Sequence, residues 1–378
     1  MVRTVRVILV RARDYFAQDV PQAIPILQLI AFACPNPAIP LTFAWRYLNK
    51  QAGARLAASL GNAVEPIIKK LETNDFEEMS EAYIGWDERY RQLDSGRFRG
   101  SLLFSQIDAL QICHNLWWRS IHYQGTTPPD TFGVAVTLNQ GNDGRWMGME
   151  VGPADMIIQK MGKEADFVAQ AEWDGAVFSI PKQAFAQLAS DLGGCAYGAL
   201  PEFGGLSHLT QKEYSRIRSL CLAYFDVLER SSHDPASSVL IPHMAQSLVS
   251  EIARALVASL PLRFEKPAPS RRRQIVRQAE RYISGCENRS VRIEHVCRAL
   301  GVSERTLYYA FADTIGETPT HWLRNQRLNQ AYRSLYRADP ADTLVKQVAI
   351  GNGFLHLGHF SRNYKKLFGE SPSETLRR

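Results

Sequence analysis

The sequence predicts a multidomain α+β protein that begins with an antiparallel β-barrel or sandwich, continues with a helical hairpin and ends in an all-α domain of two helix-turn-helix units. Its 378 residues are too many for one compact core. Several segments between about residues 73 and 180 have apolar residues at every second position, and apolar residues recur at helical spacing after residue 181. Near the C-terminus one segment of the sequence occurs twice, as expected of a duplicated structural unit.

Residues 1–72 carry the least structural information. An apolar run at residues 23–34 follows several arginines, but it is interrupted by Pro25 and is too short to span a bilayer. We expect a poorly specified N-terminal extension that is partly helical between residues 45 and 71. The alternative is a translation start at Met79 or a nearby codon, which would leave the extension untranslated.

Residues 73–182 are predicted to form the β-barrel or sandwich. Alternating apolar positions mark several strands, and turns rich in glycine, proline and asparagine separate them. The clearest alternation is at Phe132, Val134, Val136 and Leu138. Seven or eight short strands at regular spacing are typical of a small antiparallel barrel or sandwich. The region also contains the tryptophans Trp117, Trp118, Trp146 and Trp173. They suggest a ligand pocket, although aromatic residues in strands more often belong to the core.

Residues 183–262 change to the helical period and are predicted to form a hairpin of two long helices. The first helix carries an apolar stripe at Ile217, Cys221, Tyr224 and Leu228. The second carries one at Leu240, Met244, Leu248, Ile252 and Leu256. Such stripes usually pack inside their own chain, but two in succession could also join two subunits, so a homodimer formed through residues 210–258 is an alternative. Residues 263–270, which include Pro267-Ala268-Pro269, are predicted to be a linker.

Residues 271–378 contain the repeated unit. The segment at residues 315–324 returns at residues 368–377 with a constant offset of 53, as from Gly316 to Gly369. Two copies of one small helical unit are the simplest explanation.

Each copy is predicted to be a helix-turn-helix. The first helix of each copy ends at a glycine, Gly301 or Gly353, where a sharp turn needs positive φ. Ser303 is the predicted N-cap of the second helix in the first copy. The buried side of that second helix is predicted at Leu307 and Phe311, and at Phe360 and Tyr364 in the second copy.

The positive charge of the chain is concentrated in the same region. The whole chain has 44 Lys and Arg against 38 Asp and Glu, a formal net charge of +6. Residues 271–378 hold 19 of those basic residues and 10 of the acidic ones, which leaves 25 basic and 28 acidic residues for the rest. An excess of positive charge on a helix-turn-helix domain is what binding to DNA phosphates requires.

Residues 271–378 resemble the DNA-binding domain of the AraC/XylS family of transcription regulators. The resemblance rests on the duplicated helix-turn-helix, on the G-x-x-P pattern after each unit, and on the run Gly353-Phe354 … His359-Phe360-Ser361-Arg362 … Tyr364-Lys365-Lys366. It implies a sequence-specific DNA-binding regulator and favours an activator that works with RNA polymerase. Residues 86–100 resemble the sensor domain of the ethanolamine-operon-regulator branch, which implies a cupin-like sensor domain whose small-molecule effector is unidentified.

The resemblance and the outward helix positions together give candidate DNA contacts. Arg305, near the start of the first recognition helix, can donate two hydrogen bonds to guanine O6 and N7. The candidate base contacts are Arg305, Tyr308, Tyr309, His356, Leu357, Ser361 and Arg362. The candidate phosphate contacts are Ser303, Thr306, Arg324, Lys365 and Lys366. Because Leu357 and Gly358 offer no side-chain hydrogen bond, we expect the first unit to read most bases and the second mainly to anchor.

A single helix at residues 319–338 is predicted to join the two units. Its 20 residues would span about 30 Å, which is close to one turn of B-DNA. That spacing predicts recognition helices in two successive major grooves, so that one monomer could cover an asymmetric site.

The sequence favours no catalytic residue, cofactor or metal site. It lacks a Gly-x-Ser-x-Gly elbow and a phosphate-binding glycine loop, and residues 102–180 contain no His and carboxylate cluster at metal-ligand spacing. The six cysteines are scattered, so a protein of the reducing cytoplasm, associated with the nucleoid, is expected. Two alternatives remain open: a barrel-domain enzyme with a DNA-binding appendage, and a barrel without a ligand whose helical hairpin serves oligomerisation.

Overall fold

The structure, a computed structural model, describes residues 65–139, 144–191, 204–231, 237–259, 264–265, 271–286 and 291–378. The chain divides into two compact units, one of residues 1–65 and 231–242 and the other of residues 66–230 and 243–378. Most of the first unit, and with it most of the expected extension at residues 1–72, lies outside the described residues. The packing described below belongs to the second unit.

The described strands form two antiparallel sheets. The strands are β1 (Ile67–Thr73), β2 (Asp87–Gln92), β3 (Gly100–Ile107), β4 (Leu110–Trp117), β5 (Ile121–Thr126), β6 (Thr131–Thr137), β7 (Gly144–Trp146), β8 (Met149–Val151), β9 (Asp155–Gln159), β10 (Ala165–Ala169), β11 (Trp173–Pro181), β12 (Gly205–His208) and β13 (Phe264–Glu265). One sheet has eight strands in the order β1-β3-β4-β11-β6-β9-β12-β13, and the other has five in the order β2-β5-β10-β7-β8.

The two sheets enclose a hydrophobic core as a sandwich and do not close into a barrel. No strand of one sheet pairs with a strand of the other among the described residues. Aromatic rings from the two sheets pack against each other. The ring centres of Tyr90 in β2 and Trp117 in β4 are 5.2 Å apart, and those of Phe167 in β10 and Trp173 in β11 are 5.5 Å apart. The predicted alternation is confirmed at residues 132–138, whose apolar side chains are buried.

Strand β1 lies before residue 73, where we expected the sheet to begin. It pairs with β3 along its whole length, from Ile67 opposite Gln106 to Thr73 opposite Gly100. The helical expectation is therefore wrong for residues 67–71, because backbone pairing with β3 outweighs local helix propensity. A translation start at Met79 would remove this strand.

Four helices accompany the sheets: α1 (Phe76–Glu81), α2 (Lys182–Asp191), α3 (Gln211–Arg230) and α4 (Ser237–Ser259). The predicted apolar stripe of α3 packs on the eight-stranded sheet. The Tyr224 hydroxyl lies 2.9 Å from Ser105 Oγ, and the Phe225 ring stacks on His114 at 4.7 Å. This stripe is therefore used inside the chain. None of the helices in the described ranges has the length and apolar character needed to cross a membrane.

The C-terminal domain consists of α5 (Arg271–Gly285), α6 (Ile293–Leu300), α7 (Glu304–Thr314), α8 (Pro319–Tyr336), α9 (Val345–Gly351), α10 (Leu357–Phe368) and α11 (Pro372–Leu376). Helices α6 and α7 form the first helix-turn-helix, and α9 and α10 form the second. Both turn glycines have the predicted positive φ, +65° at Gly301 and +81° at Gly353. The joining helix α8 ends at Tyr336, two residues before the expected end.

The predicted linker at residues 263–270 begins with a strand. Residues 264–265 form β13, which pairs with β12 through Leu206 opposite Glu265. The linker expectation is wrong at these two residues, because the free edge of β12 offers backbone partners that the local sequence does not reveal. Residues 266–270 lie outside the described ranges.

The first helix-turn-helix unit has a hydrophobic core largely of its own. Leu307, Phe311 and Trp322 are buried at its centre, with the Phe311 and Trp322 rings 5.3 Å apart. Val168 of β10 is the residue that the β-sandwich adds to the buried part of this cluster.

The second unit shares the core of the sandwich. Tyr332, Tyr364 and Phe368 belong to the same buried cluster as the aromatic residues between the two sheets. The Tyr332 ring lies 4.6 Å from Phe76 of α1, and Phe368 lies 6.0 Å from the same ring. The two copies of the repeat therefore differ in their tertiary surroundings.

Asn329 of α8 joins the second unit to the edge strand β2. Its amide nitrogen donates to the carbonyl oxygen of Gln92 at 3.2 Å, and its side-chain oxygen accepts from the Gln92 backbone nitrogen at 3.0 Å. Both residues are fully buried. The Asn329 side chain thus satisfies two backbone groups at a sheet edge, where a further strand would otherwise pair.

Replacing Asn329 with alanine should lower the free energy of unfolding by at least about 2 kcal/mol, because both backbone groups of Gln92 lose their buried partner at about 1–3 kcal/mol each. Urea unfolding of the full chain, followed by tryptophan fluorescence, measures this loss. Ser334→Ala, at an exposed position of the same helix, should stay within about 0.5 kcal/mol of the original protein. Equal losses in the two variants would contradict the role assigned to Asn329.

Candidate DNA-binding interface

Helix α7 begins with the cap that the sequence predicts. The Ser303 hydroxyl accepts a hydrogen bond from the Thr306 backbone nitrogen at 3.1 Å, and the Oγ atoms of the two residues are 2.8 Å apart. Glu304, in the first turn, favours the positive end of the helix dipole. Leu307 and Phe311 are buried as predicted, so the opposite face of α7 is turned to solvent.

That exposed face carries Arg305, Tyr308 and Tyr309. The Arg305 guanidinium lies 5.5 Å from the centre of the Tyr309 ring, within cation–π range. The Tyr309 side chain is 53% exposed and the Tyr308 side chain 39%. The Tyr308 hydroxyl lies 2.9 Å from the Thr320 Oγ1 at the start of α8, so Tyr308 is fixed against the next helix while Arg305 and Tyr309 extend into solvent.

Helix α10 begins differently. Its N-cap, His356, makes no side-chain capping hydrogen bond. Arg362 donates to the Gly358 carbonyl oxygen at 3.3 Å and lies 3.4 Å from His359 Nδ1, so it runs back along the helix surface. Leu355, which sequence reasoning missed, is 78% exposed just before the helix. The sequence signal was only its position, two residues after the turn glycine Gly353.

All twelve candidate DNA contacts are exposed. The set includes Ser361 and Leu357 at the start of α10, Lys365 and Lys366 on its later turns, and Arg324 on α8. The buried residues of the same helices, Phe360 and Tyr364 among them, are those predicted to face the core. Which of the exposed residues touch DNA stays a prediction.

The β-sandwich contacts both α7 and α10 at their C-terminal ends. Arg145 of β7 donates to the carbonyl oxygens of Ala312 and Asp313 in α7, both at 3.1 Å. A guanidinium at this position also complements the negative end of the helix dipole. In α10, the Leu367 carbonyl oxygen accepts from Gly96 N at 3.0 Å and from Gln92 Nε2 at 2.6 Å. The N-terminal turns of both helices remain exposed.

Gly369, at the end of α10, permits this close approach. Its φ is +72°, and a Cβ atom there would lie 2.6 Å from the backbone nitrogen of Arg97. A side chain at this position would be strained by its backbone conformation and would collide with the backbone of Arg97 in the β-sandwich domain. The glycine of the second G-x-x-P pattern therefore has a packing reason beyond ending a helix.

A charged cluster missed by sequence reasoning joins the sandwich to α5 and α8. Arg91 of β2 donates to Glu280 Oε1 at 3.2 Å, to Gln326 and to His122 Nδ1, and its guanidinium lies 4.8 Å from the Trp322 ring centre. The available signal was Glu280, a lone acid in the basic sequence of α5. Burial lowers the pKa of Arg91 below its ordinary value, although the neighbouring carboxylates of Glu280 and Asp166 partly offset this effect.

His122, Asp166 and Glu280 bring three ligand-type atoms within 4.8 Å of one another. The expectation that residues 102–180 contain no clustered His and carboxylate is thus wrong for His122 and Asp166, which neighbouring strands β5 and β10 bring to 2.9 Å. Burial raises the pKa of Asp166, but His122, Gln124 and Arg91 more than offset this and lower it to about 2. Because Arg91 bonds two members of the group, the cluster is an ion-pair network in this arrangement.

Comparisons with known proteins agree with the helix-turn-helix geometry. The family model "Helix-turn-helix domain" matches residues 296–378. A probable thc operon regulatory protein of Rhodococcus erythropolis is 38% identical over 134 residues, which cover 35% of this chain but only 40% of that protein. A XylDLEGF operon transcriptional activator of Pseudomonas putida is 29% identical over 285 residues, 75% of this chain and 86% of that protein. The XylDLEGF operon transcriptional activator 2 of the same organism is 30% identical over 138 residues, 35% of this chain and 88% of its own length.

The chain belongs to the AraC/XylS family. It is a DNA-binding transcription regulator with an N-terminal sensor domain and a C-terminal double helix-turn-helix. Among solved structures, the AraC-like transcriptional activator CuxR aligns with a TM-score of 0.37 at 17% identity, over 71% of this chain and 96% of its own.

The Ser303 cap allows stability and DNA binding to be separated in this AraC/XylS protein. Ser303→Ala should lower the free energy of unfolding by about 1 kcal/mol because the capping bond is lost, whereas Ser303→Asp keeps the cap and should stay within about 0.5 kcal/mol. If Ser303 faces a phosphate, Ser303→Asp should nevertheless weaken DNA binding about tenfold through charge repulsion. Urea unfolding and fluorescence anisotropy with a selected DNA site measure the two effects. Unchanged DNA affinity in Ser303→Asp would exclude a phosphate near Ser303.

Proposed function

We propose that the chain binds an asymmetric DNA site with its two recognition helices in successive major grooves, and that its sensor domain makes this binding respond to a small molecule. The observation that carries the proposal is the orientation of α7 and α10, whose N-terminal turns are exposed while the sensor sandwich holds their C-terminal ends. In helix-turn-helix proteins, the N-terminal residues of the recognition helix contact the base edges.

The length of α8 supports two adjacent grooves. Its 18 residues span about 27 Å at 1.5 Å per residue. With the turns on either side, this approaches the roughly 34 Å between successive major grooves on one face of B-DNA. Because both units lie on one chain, a monomer can cover both half-sites without a palindrome.

The two units would contribute differently to recognition. In the first, Arg305 is exposed and its guanidinium can donate two hydrogen bonds to a guanine, and Tyr308 and Tyr309 extend the same exposed face. In the second, Leu357 can meet a thymine methyl group, while Lys365 and Lys366 can neutralise phosphates. These side chains favour base recognition by the first unit and anchoring to the DNA backbone by the second.

The names of two relatives describe operon activators, and this supports activation with RNA polymerase as the partner. A homodimer through residues 210–258 would have to use faces of α3 other than its buried stripe, such as the face of Leu222, which is 38% exposed. A cytoplasmic, nucleoid-associated protein without enzymatic activity fits this function. The alternative, an enzyme with a DNA-binding appendage, is not favoured by a His122 cluster that Arg91 already binds.

Arg305→Ala and Lys366→Ala should change DNA binding in different ways. Loss of Arg305 should remove the preference for guanine at one position of the selected site, a discrimination of about 1–3 kcal/mol. Loss of Lys366 should weaken binding to all sequences and reduce the slope of log K against log salt concentration by about 1. Binding-site selection from random DNA and anisotropy titrations at several salt concentrations measure both effects.

Arg230→Ala is the matched control, because it removes an exposed positive charge from α3 of the sensor domain. It should leave both base preference and salt slope unchanged. If Arg305→Ala alters neither affinity nor base preference, α7 is not a base-reading helix and the proposed function fails.

A further inference from the structure

A cavity of about 50 Å³ lies between the two sheets of the sandwich. Aromatic rings from both sheets line most of it, among them Tyr90, Trp117, Tyr123, Trp146, Phe167 and Trp173. Three of the four tryptophans that the sequence analysis weighed between core and pocket are thus both buried and in contact with a cavity. Aromatic walls with a few polar groups are typical of small-molecule sites.

Polar atoms without a partner in the protein are concentrated at this cavity. Of the nine buried side-chain nitrogen and oxygen atoms that lack a hydrogen bond among the described residues, five belong to residues that line it. They are Glu88 Oε2, Asn115 Nδ2 and the indole nitrogens of Trp117, Trp146 and Trp173. Each such atom destabilises the protein when it is left unpaired, because it has lost its hydrogen bonds to water. A bound molecule that pairs with several of them would recover that free energy.

Glu88 sets the charge that the cavity prefers. It is the one ionisable acid among the lining residues described, and these include no Lys, Arg or His. Tyr90 hydrogen-bonds the Glu88 carboxyl group, while Oε2 remains without a partner. When Glu88 is ionised, an anionic ligand would meet its charge with no counter-charge, whereas a cation would pair with it and with the negative faces of the surrounding rings.

We propose that this cavity is the effector site and that its ligand is a small organic cation, whose charged nitrogen pairs with Glu88 inside a cage of tryptophan and tyrosine rings. The proposal rests on the effector-sensing role proposed above. Asn115 and the three indole N–H groups would donate to acceptor atoms elsewhere on the ligand. The chemical class is therefore an organic ammonium compound that also carries hydrogen-bond acceptors, such as hydroxyl or carbonyl oxygen atoms.

Strand β2 gives the ligand a direct route to the DNA-binding domain. Glu88 and Tyr90 line the cavity, and the next two residues of the strand, Arg91 and Gln92, bond Glu280 and Asn329 of the C-terminal domain. A ligand that binds Glu88 therefore contacts the same strand that is hydrogen-bonded to the DNA-binding domain. Such a ligand would change DNA binding by no more than the difference in its affinity between the DNA-bound and free forms of the protein.

The protonation of Glu88 makes the proposal sensitive to pH. Burial raises the pKa of Glu88 to about 8, with a smaller contribution from the charge of Asp87. A cation needs the ionised carboxylate, so its apparent affinity should rise about tenfold per pH unit up to about pH 8 and then level off. The other titratable groups that interact with Glu88 are Tyr83, Tyr90, Cys113 and Tyr123, and burial raises the pKa of each of these above its ordinary value.

The experiment uses three probes of one shape on the purified full chain: benzylammonium, benzyl alcohol and benzoate, together with tetramethylammonium as a fully alkylated cation. Thermal shift and isothermal titration calorimetry at pH 7.5 measure binding. An ammonium probe should raise the melting temperature and bind at least tenfold more tightly than benzyl alcohol or benzoate. Between pH 6 and 7, its affinity should rise about tenfold, with release of close to one proton at the lower pH.

Glu88→Gln should lower the affinity for the ammonium probe at least tenfold and abolish its pH dependence, whereas Glu150→Gln, an exposed acid on β8, should change neither. Near-UV circular dichroism checks that Glu88→Gln is folded, and the pH titration tests the proposal on the unaltered protein. Tighter binding of benzoate or benzyl alcohol, or no binding of either cation up to 10 mM, would overturn the inference. DNA affinity of the unaltered chain is measured in parallel, because its loss would contradict the proposed function independently of the ligand result.

Discussion

The structure depends on one constraint: the sensor sandwich holds both recognition helices by their C-terminal carbonyl groups. Arg145 bonds the end of α7, while Gln92 and Gly96 bond the end of α10. A recognition helix contacts base edges through its N-terminal residues, so these contacts at the C-terminal ends leave the base-reading turns exposed. It also means that the relative position of the two helices is set by the sandwich as well as by α8. Any rearrangement of the sandwich is therefore transmitted to both helices together.

The duplicated units respond to this constraint unequally. The first packs its own core around Phe311 and Trp322 and meets the sandwich mainly through polar contacts and Val168. The second has no separate core, because Tyr332 and Phe368 pack on Phe76 of α1 and belong to the same buried cluster as the aromatic residues between the sheets. Buried apolar surface contributes about 25 cal/mol per Å², so separating the second unit from the sandwich would expose much of what stabilises it. We infer that the second unit and strand β2 act as one body, with the first unit attached to it.

Much of the C-terminal domain could be predicted from the sequence, because local signals determine it. Gly301 and Gly353 require positive φ, Ser303 caps its helix, and the apolar residues of α7 and α10 show which face is buried. The contacts between domains could not be predicted. Arg91 and Glu280 are far apart in the sequence, and nothing local to either residue reveals the other. Strands β1 and β13 were missed for the same reason, since these residues become strands by pairing with β3 and β12. For the cavity, the sequence left open whether the tryptophans belong to the core or to a pocket. The unpaired polar atoms that distinguish the two could not be predicted, because they are a property of the packed structure.

Hydrogen exchange of the full chain followed by mass spectrometry tests the shared core most directly. Under native conditions with increasing sub-denaturing urea, peptides from β2 and from α8 and α10 should open with the same free energy and the same urea dependence, because they unfold as one cooperative body. Peptides from α6 and α7 should open at lower free energy. The account would be contradicted if α8 and α10 exchanged through a separate opening at low free energy while β2 stayed protected, since the second unit would then be an independent domain and not part of the sensor core.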